Sequence, residues 1–174
     1  KRQIVKDCSL YLITQNRKDL KEIVLQSLEA GVKIVQYREK ILNDNEKVNQ
    51  AKDLASLCKK YNSLFIVNDR IDIALAVDAD GIHLGQEDMP TKIARKLLGY
   101  EKIIGRSTHC LKDIKKAEEE GCDYIGIGAI FPSETKTKLN PIGIDYLKKG
   151  LNQTLLPAFA IGGINSSNIN KLIQ

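Results

Sequence analysis

The chain has 174 residues, 43% hydrophobic and 28% charged, with a formal net charge of +5. That balance suits one soluble globular domain with a real core, and no apolar run approaches the roughly 18–20 residues of a membrane span. The basic residues (Lys18, Lys21, Lys52, Lys59, Lys60, Lys115, Lys116) are spread along helical stretches, Trp is absent and no recognition motif occurs, so nucleic acid is excluded in favour of small anionic ligands.

The amino-terminal stretch KRQIVKDCSLYLITQ is basic but lacks the apolar segment of about 7–15 residues that a signal peptide carries. It also lacks an initiator Met, so the encoded start is expected upstream of Lys1. Cys8, Cys58, Cys110 and Cys122 have neither CxxC nor Cys/His metal spacing and are expected as reduced thiols in the cytoplasm.

Apolar runs centred near Leu12, Ile34, Ile66, Ile82, Ile104, Ile125 and Phe159 predict seven strands. Amphipathic segments between and after them predict helices over Leu20–Ala30, Asn45–Tyr61, Ile71–Val77, Thr91–Leu98, Leu111–Glu120, Ile144–Gly150 and Ser166–Ile173. Gly31, Gly81 and Gly121 each stand just ahead of a strand, where an αβ turn wants glycine. The phrases EAGVKIVQ, DADGIHLG and EEGCDYIG restate one βα unit three times. Seven such units predict a (β/α)8 TIM barrel over 1–174 as a single domain, incomplete at its carboxyl end because the eighth βα unit is missing; an open doubly wound sheet is the alternative. Gly126, Gly128, Gly162 and Gly163 fall near strand ends, where a bare backbone admits a ligand.

The candidate chemistry lies just after the strands. In VQYREK, period two puts Gln36, Arg38 and Lys40 on one face, and burying one amide and two cations needs an anionic partner. FIVN runs into Asp69 and GIHLG into Gln86, Glu87 and Asp88, with room between for only one short helix. A parallel βαβ unit of this kind brings both carboxylates to the carboxyl ends of neighbouring strands, a setting suited to Mg2+. Each Asp has a competing reading as a helix N-cap. His83, mid-strand, reads as a hydrogen-bonded core residue. Ser107, in the run Ser107, Thr108, His109, is a ligand donor or an N-cap, and no GxSxG elbow supports a serine nucleophile. The loop FPSETKTK offers Ser133, Thr135 and Lys136 to a phosphate without being a Walker A loop. AIGGIN adds Gly162 and Gly163 ahead of Asn165, a candidate N-cap at a helix start where phosphate could sit.

Six stretches in this order, VQYREK, NDR, ADGIHLGQED, GRSTH, GAIFPSETK and AIGGIN, resemble the thiamine-phosphate synthase family, from about Leu12 to the end of the chain. The resemblance implies a (β/α)8 enzyme of thiamine biosynthesis. It is a transferase that joins a hydroxymethylpyrimidine diphosphate to a thiazole phosphate, giving thiamine phosphate and pyrophosphate by a Mg2+-assisted, largely dissociative substitution. On that reading Asp69 and Asp88 hold Mg2+, while Arg38, Lys40 and Lys136 grip the diphosphate and act as catalytic residues. Gln36, Asn68 and Ser107 orient the pyrimidine. Ser133 and Thr135, with Gly162 and Gly163, seat the thiazole phosphate, and Tyr37, Glu39 and Glu134 complete the substrate-binding segments. The partners implied are phosphorylated small molecules, with neither nucleic acid nor membrane; a homo-oligomer stays open.

Two departures from the family pattern stand out. Ser133 stands where the family usually has Thr, which keeps the hydroxyl, and the family's eighth βα unit, which helps bind the thiazole phosphate, is missing. A sister thiazole tautomerase uses a His where this chain has Ala129, and a non-catalytic phosphate-binding barrel is the other alternative.

Overall fold

The computed structural model describes residues 1–132 and 140–173. The predicted alternation of strand and helix is present in all seven strands. The chain divides into two compact units, Lys1–Gly105 and Arg106–Gln174.

The first unit opens with a short helix, α1 (Arg2–Asp7), that has no predicted counterpart; of its six residues only Val5 is buried, too few for an apolar period. Strands β1 (Tyr11–Ile13), β2 (Ile34–Tyr37), β3 (Leu64–Asn68) and β4 (Gly81–Leu84) follow, each parallel to the one before. Between them run α2 (Leu20–Glu29), α3 (Asp44–Lys60) and α4 (Ile71–Ala76), and α5 (Thr91–Leu98) follows β4. Every residue of β2 and β4 is buried, as expected of parallel strands covered on both faces. Val24, Leu28, Val35, Leu54 and Phe65 belong to one core of this unit; Ile71, Ile82, Leu84, Ala94 and Leu98 belong to another. Helix α3 starts at a capping box, in which the Asn43 side chain accepts the Glu46 N–H and Glu46 reaches back to the Asn43 N–H.

At the amino ends of these strands Asp80 ties several segments together. Its carboxylate accepts the Phe65 N–H at 2.9 Å and pairs with Lys1 at 3.1 Å. Its backbone donates to Phe65 O and accepts from Ile103 N. The next residue, Gly81, lies so close to the Ile103 carbonyl that an added β-carbon would stand 2.1 Å from that oxygen. Strand β5 (Ile103–Thr108) begins here and carries the chain into the second unit.

The second unit holds α6 (Leu111–Glu119), β6 (Tyr124–Gly128), α7 (Gly143–Leu151) and β7 (Ala158–Ile161), with β6 and β7 parallel. Ile114, Ile125, Ile127, Ile130 and Leu147 form its core. The helix predicted over Ser166–Ile173 is replaced by a single 3-10 turn, Ile169–Lys171. The cause is local: Asn165 Oδ1 accepts from the Ser167 N–H and hydroxyl, an Asx turn that competes with helical pairing.

Candidate active site

In the first unit the carboxyl ends of β2, β3 and β4 converge on a small cluster of charge. Gln36 is 2% exposed, and its Nε2 donates to the Tyr11 hydroxyl at 3.0 Å. Thr14 accepts the Arg38 N–H at 3.0 Å, which fixes the backbone where β2 ends. Two residues on, Lys40 forms an ion pair with Asp69, so period two does carry the cation toward the β3 end.

Asp69 is neither in the helix nor its cap. It has φ 60°, a left-handed conformation uncommon for residues with a β-carbon. Its N–H donates to His83 O at 2.9 Å, extending the β3–β4 ladder by one residue. Asn68 lies beside it, half-buried at the end of β3. The N-cap of α4 is Arg70 and that of α5 is Pro90, so neither Asp69 nor Asp88 serves as a helix cap. Instead Asp88 Oδ2 accepts the Gly85 N–H at 2.6 Å.

The two carboxyls are close enough to perturb one another. Burial is the first reason that the Asp88 carboxyl sits above its ordinary pKa; a hydrogen bond with Asp69 and repulsion from its charge add to this, against the Gly85 N–H and Lys40. Crowded negative charge of this kind suits a divalent cation. Among the described residues no third His, Cys, Asp or Glu closes the pair into a metal cage. A pair of carboxylates is a donor set suited to Mg2+, which keeps several waters and takes oxygen ligands from phosphate.

Glu39 and Tyr37 stand apart from this cluster. Glu39 organises the turn after β2, accepting from Ile41 N at 2.5 Å, Leu42 N at 3.1 Å and Asn16 Nδ2 at 2.7 Å. Burial pushes its carboxyl up, and these donors outweigh burial and hold it below its usual range. Tyr37 faces the helix layer: its hydroxyl donates to Gln50 Oε1 of α3 at 2.9 Å and its ring stacks on Phe65. His83 is buried within β4, as a core histidine should be.

In the second unit Ser107 is half-buried near the end of β5, and the N-cap of α6 is Cys110, which removes the capping reading for Ser107. Thr108 Oγ1 donates to Gly126 O at 3.1 Å, and His109 Nδ1 lies 2.5 Å from Gly128 O. Gly162 and Gly163 both have positive φ, 98° and 65°. A β-carbon on Gly163 would stand 2.3 Å from Pro132 O, so this turn accepts only a bare backbone. Phe131 N–H donates to Gly162 O at 3.0 Å. Ser133, Glu134, Thr135 and Lys136 lie outside the described residues.

Sequence reasoning missed Arg70, whose guanidinium pairs with both Asp44 and Asp72, and it gave no role to Thr14. The NDR triplet held a signal for Arg70, since a guanidinium beside a carboxylate at a strand end needs carboxylate partners of its own.

Parallel βα repeats with paired carboxylates at the ends of two neighbouring strands define an α/β protein that takes its ligand beyond the strand ends. Residues 10–174 match the family described as thiamine monophosphate synthase. The chain belongs to that family. It is 53% identical over 179 residues to thiamine-phosphate synthase of Prochlorococcus marinus (strain MIT 9313), a match covering 100% of this chain and 51% of that protein. It is 46% identical to thiamine-phosphate synthase of Synechocystis sp. (strain ATCC 27184 / PCC 6803 / Kazusa), covering 99% of this chain and 50% of that protein. The chain thus spans about half the length of the curated relatives it matches. Among solved structures, thiamine phosphate pyrophosphorylase from Pyrococcus furiosus superposes with a TM-score of 0.88 at 38% identity, covering 98% of this chain and 82% of that one. The fold class is therefore the TIM barrel.

Proposed function

We propose that the protein is a thiamine-phosphate synthase, joining 4-amino-2-methyl-5-hydroxymethylpyrimidine diphosphate to a thiazole phosphate. The bond from the pyrimidine methylene carbon to the diphosphate oxygen breaks, and the electron pair leaves with pyrophosphate. The thiazole nitrogen then supplies the pair for the new carbon–nitrogen bond. One observation carries this reading: Asp69 and Asp88 crowd two carboxylates together with Lys40 beside them. Family membership supports the same reaction class.

Asp69 and Asp88 would hold Mg2+, which when bound supplies neutralising charge for the diphosphate. Lys40, released from Asp69, and Arg38 would bind diphosphate oxygens and stabilise the charge that grows on the leaving group. Gln36, Asn68 and Ser107 would orient the pyrimidine, Lys136 would join Arg38 and Lys40 at the diphosphate, and the bare backbone at Gly162 and Gly163, with Ser133 and Thr135, would receive the thiazole phosphate. Orientation and electrostatics supply the rate, and no acid–base dyad is needed.

The test is to incubate the full-length protein with both substrates and Mg2+ and to quantify thiamine phosphate and pyrophosphate. Equal amounts of both, abolished by a chelator, are expected. A folded full-length protein that forms neither product would overturn the proposal.

A further inference from the structure

We propose that Arg70 is a positioning residue: an outer brace that keeps the β2–α3 and β3–α4 loops in register when ligand binding dissolves the Lys40–Asp69 pair between them. The proposal rests on the reading of Lys40 and Asp69 given above.

These two loops are tied twice. The inner tie is Lys40 to Asp69. The outer tie is Arg70, the residue after Asp69, which forks onto Asp44 with Nη1 to Oδ1 at 2.8 Å and Nη2 to Oδ2 at 3.0 Å. Asp44 opens α3, four residues after Lys40. The same guanidinium forks onto Asp72 in the first turn of α4, with Nε to Oδ1 at 2.9 Å and Nη2 to Oδ2 at 2.6 Å. Arg70 thus connects the start of α3 to the start of α4, with the left-handed Asp69 next to it in the chain.

The inner tie cannot survive the reaction as proposed. Lys40 must turn to diphosphate oxygens and Asp69 to the cation, so the attraction that joins the loops is spent on the ligand. The outer tie uses no group that the reaction needs. A single exposed ion pair does little, but two bidentate forks on one planar guanidinium fix geometry as well as charge. Both Asp44 and Asp72 sit in first helical turns, where negative charge is already favoured, and the helices hold them in place.

The experiment is a double-mutant cycle on the full chain, read by hydrogen exchange over residues 38–44 and 68–72 without ligand. Lys40→Met opens the inner tie, and Arg70→Gln opens the outer one. Each alone is expected to speed exchange in these segments by less than about threefold, so that additive effects would give less than about ninefold. Together they are expected to speed it by about 100-fold, a coupling of about 1.4 kcal/mol. Arg70→Lys, which keeps the charge but loses both forks, should fall between wild type and Arg70→Gln in the Lys40→Met background. Strictly additive effects, or full rescue by Arg70→Lys, would overturn the brace. In turnover assays Arg70→Gln should raise half-saturating Mg2+ about tenfold with a smaller change in kcat; unchanged Mg2+ dependence would count against it. A wild-type protein without turnover would defeat the functional reading, and the ligand-free cycle would still decide the brace.

Discussion

Asp88 turns back across its own loop so that its Oδ2 accepts the Gly85 N–H at 2.6 Å, and a β-carbon on Gly85 would stand 2.9 Å from that oxygen. The carboxylate occupies space that is open only because residue 85 has no side chain. Gly85→Ala should therefore displace the carboxylate from Asp69 while leaving the backbone in place. The expected outcome is a rise of about tenfold in half-saturating Mg2+, with a stability change below about 1 kcal/mol in denaturant titration.

Asp69 combines charge with an unusual backbone, and one substitution separates the two. Asn tolerates the left-handed region as Asp does, so Asp69→Asn should keep the fold, with a stability change within about 0.5 kcal/mol. Loss of the carboxylate should cost about 100-fold or more in kcat/KM. Steady-state kinetics beside thermal unfolding checks both, and unchanged turnover would remove Asp69 from the site.

The raised Asp88 carboxyl gives a pH dependence of definite sign. A group whose folded-state pKa lies above its unfolded value binds its proton more tightly in the folded protein. Its favourable contribution is thus present at low pH and is lost as pH rises from the unfolded pKa through the folded one. Asp69→Asn removes a neighbouring charge and should bring the Asp88 pKa down, which carbon-13 NMR of the side-chain carboxyl would follow. Mg2+ should abolish the step in wild type.

Gly163 has φ 65° and packs against the Pro132 carbonyl. Gly163→Ala should cost about 1–3 kcal/mol through strain and contact. If this turn receives the thiazole phosphate, the KM for that substrate rises more than the KM for the pyrimidine diphosphate. An equal rise in both would assign Gly163 a structural role only.

Tyr37 tests the division between core and site in β2. Tyr37→Phe removes the hydrogen bond to Gln50 and should cost about 1 kcal/mol of stability. Turnover and both KM values should stay at wild-type levels.

Much of this architecture was legible in the sequence for a physical reason. Strands such as LFIVN and GIHL are buried on both faces and so read as short apolar runs, with Gly or polar residues at their borders. Period two likewise placed Gln36 and Lys40 on one face, and it places Tyr37 on the other, against α3. The Asn43–Glu46 capping box was available as a spacing signal for the start of α3. Other features depend on long-range meetings that no local pattern encodes. Arg70 finds Asp44 across 26 positions, and Thr14 meets the Arg38 N–H across 24. The last predicted helix failed because an Asx turn at Asn165 offered the backbone a nearer partner. α1 escaped notice because six residues with one buried side chain carry no period.

Asp80 gathers Phe65, Lys1 and Ile103 at the opposite ends of the strands from Lys40, Asp69 and Asp88. Backbone anchoring by Asp80 and the candidate site thus lie at separate ends of the same strands. An engineer could reinforce the region around Asp80 for heat resistance while the end that carries Lys40, Asp69 and Asp88 kept its charge arrangement. Natural drift has the same freedom: lineages facing different temperatures could rework one end of the scaffold with the other unchanged.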